Sequence, residues 1–363
     1  MIRCIRNSLH RIQNQTNGIM DSEDYRELTR QEYLTFLEKA KRSAERCKRQ
    51  CMCPGCSEGA IYSHVFQQKH QQLAEITTKG KVYAFAYNHL FAYLHNKPLL
   101  GYKEIGLSKL FGFYGFCNPH DTALFAPIER TDCKVDWYDE RNQYLLAYRT
   151  LCREVYANKV MYEMFSEIFS RIKSCSSDLF FQLVEQKSHC LQSSEDLRRY
   201  KMMFEQGIFG ADYSRYYFKV VQLPYRLELC LAAPIIIQNE KRGLYFGPDK
   251  EKLTNPINIV EIFPSGNSTY ILIGFAELFP NTWASQIYGN LRSDDIEDVS
   301  WALQDILFRA ELHCMSKSLY EELKEDIPAF LVEWYELKDN YSSDMIYRSN
   351  IFFNPIRKRL GYE

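Results

Sequence analysis

Four of the twelve cysteines in this chain crowd into one short stretch, at Cys47, Cys51, Cys53 and Cys56. Two of them form Cys53-Pro54-Gly55-Cys56, and the spacing recurs downstream as Cys117-Asn118-Pro119-His120. Two thiolates separated by two residues can point at one ion. The Pro-Gly interior permits the tight turn between them, and backbone N–H groups can donate to the sulfurs. A C-x-x-C alone is shared with redox sites. Here the second half adds two more donors at a helix start marked by Pro119, which completes a closed tetrahedral Cys3His set. The expected ligands are Cys53, Cys56, Cys117 and His120, with Cys51 or Cys47 as alternatives to Cys53. The expected ion is a structural Zn²⁺ that contributes directly to folding, because an unfolded module has no preformed site.

The rest of the composition bounds the reading. The first residues alternate polar and basic without an apolar run, and no stretch is long enough to span a bilayer; the longest apolar run, Leu229 to Ile237, has strand length. A cytoplasmic, reducing location is therefore expected, with no membrane partner, and clustered thiols there suggest metal more than disulfide. Cys152, Cys175, Cys190, Cys230 and Cys314 read as buried small apolar residues. The hydrophobic fraction of 46% is that of a globular protein, and 363 residues suggest about two domains. A net charge of -1 provides no general attraction for phosphate, so a nucleic-acid partner needs a local basic face. The stretch from Lys39 to Arg49 is the candidate, either as a solvated helix end or as an arm touching phosphates.

Periodicity divides the chain into an amino-terminal tail and basic helix (1–50), a zinc module (51–135), a helical region (136–207) and an α+β domain with an antiparallel sheet (208–363). The fold class expected is thus α+β. Asn96 to Gly106 reads as loop, Pro119 to Phe125 as a short helix ended by Pro127, and Tyr138 to Cys175 as the clearest helix. Phe111, Phe113, Tyr114 and Phe116 either pack around the module or offer rings to bases. His189-Cys190 and His313-Cys314 read as isolated structural pairs. Arg198, Arg199, Lys201 and Arg357 to Arg359 read as solvated surface or phosphate contacts. No P-loop, dinucleotide fingerprint or nucleophile elbow is present.

A second set of residues accompanies the metal set. Ser63-His64 follows the first thiolate pair, and Asp121 follows His120. The pattern over about residues 50 to 130 resembles the HNH endonuclease family, the zinc-stabilised ββα-metal nucleases of treble-clef type. It also resembles a group of bacterial proteins that share Gly115-Phe116-Cys117, His120-Asp121, Leu124-Phe125 and Ile128-Glu129, several of them associated with phage defence. The resemblance implies a metal-dependent nuclease. In it His64 is the general base, and Asp121 holds Mg²⁺ or another divalent cation that stabilises the leaving oxygen of a DNA or RNA phosphodiester. The sequence departs from that family at Ser63, where an Asp is usual, and at Asp121, where His or Asn is usual. The family's middle Asn has only Asn88, Asn96 and Asn118 as candidates, and Glu129 is a candidate further carboxylate. The alternative implied is a non-catalytic zinc module that binds nucleic acid or a protein partner.

Overall fold

The structure is a computed structural model that describes residues 30–66, 73–87, 100–129, 135–171, 177–237, 256–276, 282–337 and 345–362. Asn88, Asn96 and Cys175 lie outside these residues. Helix α1 (Arg30–Arg46) buries one stripe, Leu37, Ala40 and Ala44, whose spacing of three and four is one helical face. Strand β1 (Tyr62–His64), helix α2 (Leu73–Ile76), strands β2 (Lys81–Tyr87), β3 (Leu100–Gly106) and β4 (Gly112–Tyr114), and helix α3 (Asn118–Glu129) follow. Two long helices come next, α4 (Glu140–Arg171) and α5 (Ser177–Gly210). Then come strands β5 (Tyr216–Leu223), β6 (Leu229–Ile236), β7 (Ile257–Ser265) and β8 (Ser268–Ala276), and helices α6 (Thr282–Asn290) and α7 (Ile296–Arg309). Strand β9 (His313–Met315) and helices α8 (Lys317–Leu323), α9 (Ile327–Leu337) and α10 (Phe353–Arg359) complete the chain.

The class is α+β with an antiparallel sheet, as the alternation of β-branched runs and helical stretches implied. The sheet has seven strands in the order β3-β2-β9-β6-β7-β8-β5, and every neighbouring pair is antiparallel. Its two faces feed two cores. On one, Ile257, Ile259 and Phe263 of β7 pack with Tyr144, Tyr148, Tyr200 and Phe204 of α4 and α5. On the other, Val260 and Ile262 pack with Leu303, Ile306 and Leu307 of α7 and Phe330 of α9. Residues of opposite parity therefore serve opposite helical layers, which is why β7 is buried along its length from Ile257 to Pro264.

The sheet crosses the divisions drawn from sequence. Strands β2 and β3, which lie between β1 and β4 within residues 51–135, join the strands of residues 208–363 through β9. Tyr83 pairs with Met315 and Ala84 with Cys314, while the far side of β9 pairs with β6 at Leu229↔Met315. His313 and Cys314, expected as an isolated structural pair, are two of the three residues of this joining strand. Residues 100–106, expected as loop, form β3, a full seven-residue partner of β2. Gly101 and Gly106 sit inside that edge strand and carry no turn.

Candidate metal centre and its surroundings

The module is a two-stranded antiparallel sheet and a helix. β1 pairs antiparallel with β4 at Tyr62↔Tyr114, Ser63↔Phe113 and His64↔Gly112. Helix α3 begins four residues after β4, and the Asp121 amide closes its first turn on the Cys117 carbonyl at 2.9 Å. Cys117 and His120 therefore bracket that turn and reach the same point. The helix continues through Pro127 to Glu129 and does not stop at Phe125. Pro127 removes one amide in the last turn, while Leu124, Phe125 and Ile128 bury the inner face, so packing outweighs the lost bond.

Four donor atoms converge, from Cys51, Cys56, Cys117 and His120, all within 4.8 Å of one another. The Cys56 and Cys117 sulfurs are 3.9 Å apart, and the Nδ1 of His120 lies 3.1 Å from the sulfur of Cys117 and 3.5 Å from that of Cys51. A tetrahedral ion with thiolates at about 2.3 Å and imidazole at about 2.05 Å sets S···S near 3.8 Å and S···N near 3.6 Å. The 3.9 Å and 3.5 Å spacings match that tetrahedron, the 3.1 Å spacing is about half an ångström short of it, and the sulfurs are far from a disulfide. This Cys3His set suits a metal ion such as zinc. Burial pushes the Cys51 thiol up to about 11, so that sulfur would need a cation beside it to stand as a thiolate near neutral pH. The amino-terminal end of α3 adds its positive dipole end to the same point.

Cys53, expected in the donor set, is replaced by Cys51. The Cys53 carbonyl accepts the Cys56 amide at 3.1 Å across Pro54 and Gly55, with Gly55 at φ 75°. Pro followed by a positive-φ Gly is the type II turn pattern, in which the glycine alone tolerates the left-handed position. Cys53 is the first corner of that turn. Its buried side chain lines a concavity with Pro54, Met202, Glu205 and Phe209 against α5. Cys51 is fixed from the other side, because its amide donates to the Glu58 carbonyl at 2.8 Å beside the Gln50↔Gly59 bridge. The working spacing is C-x₄-C, and the C-x-x-C is the turn that makes it.

Two contacts steady the knuckle. The Met52 amide donates to the Gly115 carbonyl at 2.7 Å, and Lys201 of α5 donates to the Met52 carbonyl at 2.8 Å while pairing with Glu205. Lys201 is thus neither solvated surface nor a phosphate contact. Nothing in the sequence linked it to a loop some 150 positions upstream. Arg198 and Arg199 pair with Glu195, and Arg359 pairs with Glu322. Glu129 is taken by the buried Arg149 at 2.6 Å, with the guanidinium 4.0 Å from the Phe125 ring, so it is not a carboxylate of the site.

His64 ends β1 half-buried, with Nε2 3.3 Å from the Ser108 carbonyl. A carbonyl only accepts, so Nε2 carries the proton in the neutral ring and Nδ1 keeps its lone pair. Asp121 follows His120 on α3, and its Oδ1 is buried with no hydrogen-bond partner. Ser63 points inward with its Oγ likewise buried and unpartnered. Among the described residues, His64 and Asp121 belong to no further group of three or more metal-donating side chains. Phe113 and Phe116 are fully buried and Phe111 half-buried, while Tyr114 alone of that run reaches the surface. Among the described residues no helix is long and apolar enough to cross a membrane. Comparison with protein-family models, with curated proteins and with solved structures gives no match.

Proposed function

We propose that Cys51, Cys56, Cys117 and His120 hold a structural Zn²⁺ and that the ββα unit built on it hydrolyses phosphodiester bonds in nucleic acid. The observation that carries the reading is the pairing of a base and an anion on one small unit. The Ser108 carbonyl orients the His64 ring so that Nδ1 is free to accept a proton, and Asp121 presents a buried carboxylate oxygen without a partner one residue beyond a zinc ligand. A neutral imidazole so oriented can take a proton from water as the water attacks phosphorus. Asp121 would hold a divalent cation such as Mg²⁺, which supplies stabilisation of charge on the leaving oxygen. The zinc has four protein ligands and no open position, so its part is to fix the helix and the knuckle. The resemblance to HNH endonucleases supports the same roles, and a place in anti-phage defence goes with it.

A second reading, a non-catalytic zinc module that binds nucleic acid or protein, is favoured by one feature. Ser63 stands where a nuclease of this kind carries Asp, and strand alternation turns Ser63 inward and His64 to the other face. The two readings separate on one assay. Wild type with Mg²⁺ or Mn²⁺ should cleave DNA or RNA, and His64→Ala should abolish cleavage while leaving zinc content and melting temperature unchanged. Binding without cleavage under any divalent cation would leave the second reading standing.

A further inference from the structure

The outer face of the β1–β4 strand pair is aromatic and partly exposed, with the Tyr114 ring 6.3 Å from that of Tyr156 on α4. Tyr62 and Tyr114 face each other across the strands with ring centroids 5.4 Å apart at 65°, and the Tyr62 ring meets His64 edge-on at 5.2 Å. Tyr62 is 42% exposed, Tyr114 36%, and neighbouring Ile61 39%. Tyr62 is held in place by a glycine. A Cβ at Gly112 would sit 2.1 Å from a carbon of the Tyr62 ring, so the ring lies flat on the bare backbone of β4. Partly exposed rings already held in place offer stacking surface at little further ordering cost.

A row of cations lies on α1, the helix that leads into this module, while the charged groups whose fields reach Tyr62 itself are Glu45 of α1 and Arg153 of α4. The Ala60 amide donates to the Arg49 carbonyl at 2.9 Å, which ties the stretch following α1 to the strand entering β1. On α1, Lys39, Arg42 and Arg46 share one face and line an open concavity of about 460 Å³. Arg42 reaches Glu38 at 3.4 Å, whereas Lys39 and Arg46 have no acidic partner among the described residues. Arg49 is different, for it is buried in a two-pronged pair with Glu163. With a whole-chain charge of -1, this local row is what a phosphate chain would find.

We propose that the Tyr62–Tyr114 face is a stacking platform for unpaired bases and that Lys39, Arg42 and Arg46 track the phosphates, so the nucleic acid engaged is single-stranded. The proposal rests on the reading that this chain works on nucleic acid, and it names the form of the polymer. Stacking needs an open base face, which a duplex keeps inside its own stack. Strands β1 and β4 are three residues each, too short a ribbon to read a groove along its length.

The test is equilibrium binding by fluorescence anisotropy, without added Mg²⁺ or Mn²⁺, of a short labelled single strand and of the same strand annealed to its complement, in DNA and RNA. The single strand should bind at least about tenfold tighter. Tyr62→Ala and Tyr114→Ala should each weaken it roughly tenfold, and Tyr62→Trp should retain it. Lys39→Gln and Arg46→Gln should each reduce the slope of log affinity against log salt by about 0.7. Zinc content and melting temperature, measured on every variant, should match wild type. Equal or tighter binding of duplex, or tyrosine variants that bind as wild type does, would overturn the platform. So would absence of nucleic-acid binding, which would turn this face over to a protein partner. Cleavage is scored separately. A protein that cleaves but ignores Tyr62→Ala sinks the platform alone, and one that stacks single strands but never cleaves sinks the hydrolase alone.

Discussion

Glu261 is a carboxyl in the middle of the central strand β7, 2% exposed, with Thr150 of α4 donating to one oxygen at 2.6 Å and the other oxygen unpartnered. Burial drives its pKa up to about 8, and the nearby Arg149 pulls it back only in part. Its folded pKa exceeds the unfolded value near 4.5, so the folded chain holds the extra proton between those values. Stability should therefore fall as pH rises from about 4.5 through 8. Glu261→Gln keeps an acceptor for Thr150 and removes the titration. Melting temperatures across that range should flatten in the variant, and an unchanged slope would assign the loss to another group. Single residues were also where the sequence was hardest to read. The pattern named three of the four side chains that converge, Cys56, Cys117 and His120, while Cys51 against Cys53 depended on which cysteine opens the Pro-Gly turn. A turn sends its corner residue sideways, and that direction is a property of the backbone rather than of spacing.

Among the elements, β9 decides the most with the fewest residues. Its His313 is fully buried, donates from Nδ1 to the Ala310 carbonyl at 2.8 Å, accepts the Tyr102 hydroxyl at 2.7 Å and stacks on Phe85. Burial lowers its pKa to about 4, so the ring stays neutral in the fold. The unfolded chain binds the extra proton between about 4 and 6.5, so this site should lose stability as pH falls through that window. His313→Ala should cost roughly 2–4 kcal/mol in chemical denaturation, through the cavity beside Phe85 and the orphaned Tyr102 hydroxyl. It should also remove the acid-side loss; a cost under about 1 kcal/mol would mean that β9 does not bind the hairpin β2–β3 to the sheet. Long helices and the strands β5 to β8 were legible because their periodicity runs for many residues. A three-residue strand has no period to read, and its pairing on both sides is set by partners more than 80 positions away.

At the scale of the whole molecule, the metal set draws two distant segments together, the knuckle at residues 51–56 and the start of α3, with strands β2 and β3 between them in the chain. That the two cysteine-bearing halves meet was legible from their repeated spacing. That the intervening segment would extend the sheet of residues 208–363 was not, because an edge hairpin and its acceptor carry no shared sequence signal. If the ion closes the module, then losing one donor should destabilise it strongly, since the binding free energy of a structural zinc is folding free energy. Cys53→Ser, which changes only a turn corner facing α5, should cost about 1 kcal/mol. Native mass spectrometry of protein purified without added metal tests this most directly. One zinc per chain should be found on wild type and on Cys53→Ser, and none on Cys51→Ser. A folded wild type that carries no metal, or a zinc that leaves with Cys53 and stays without Cys51, would contradict the account.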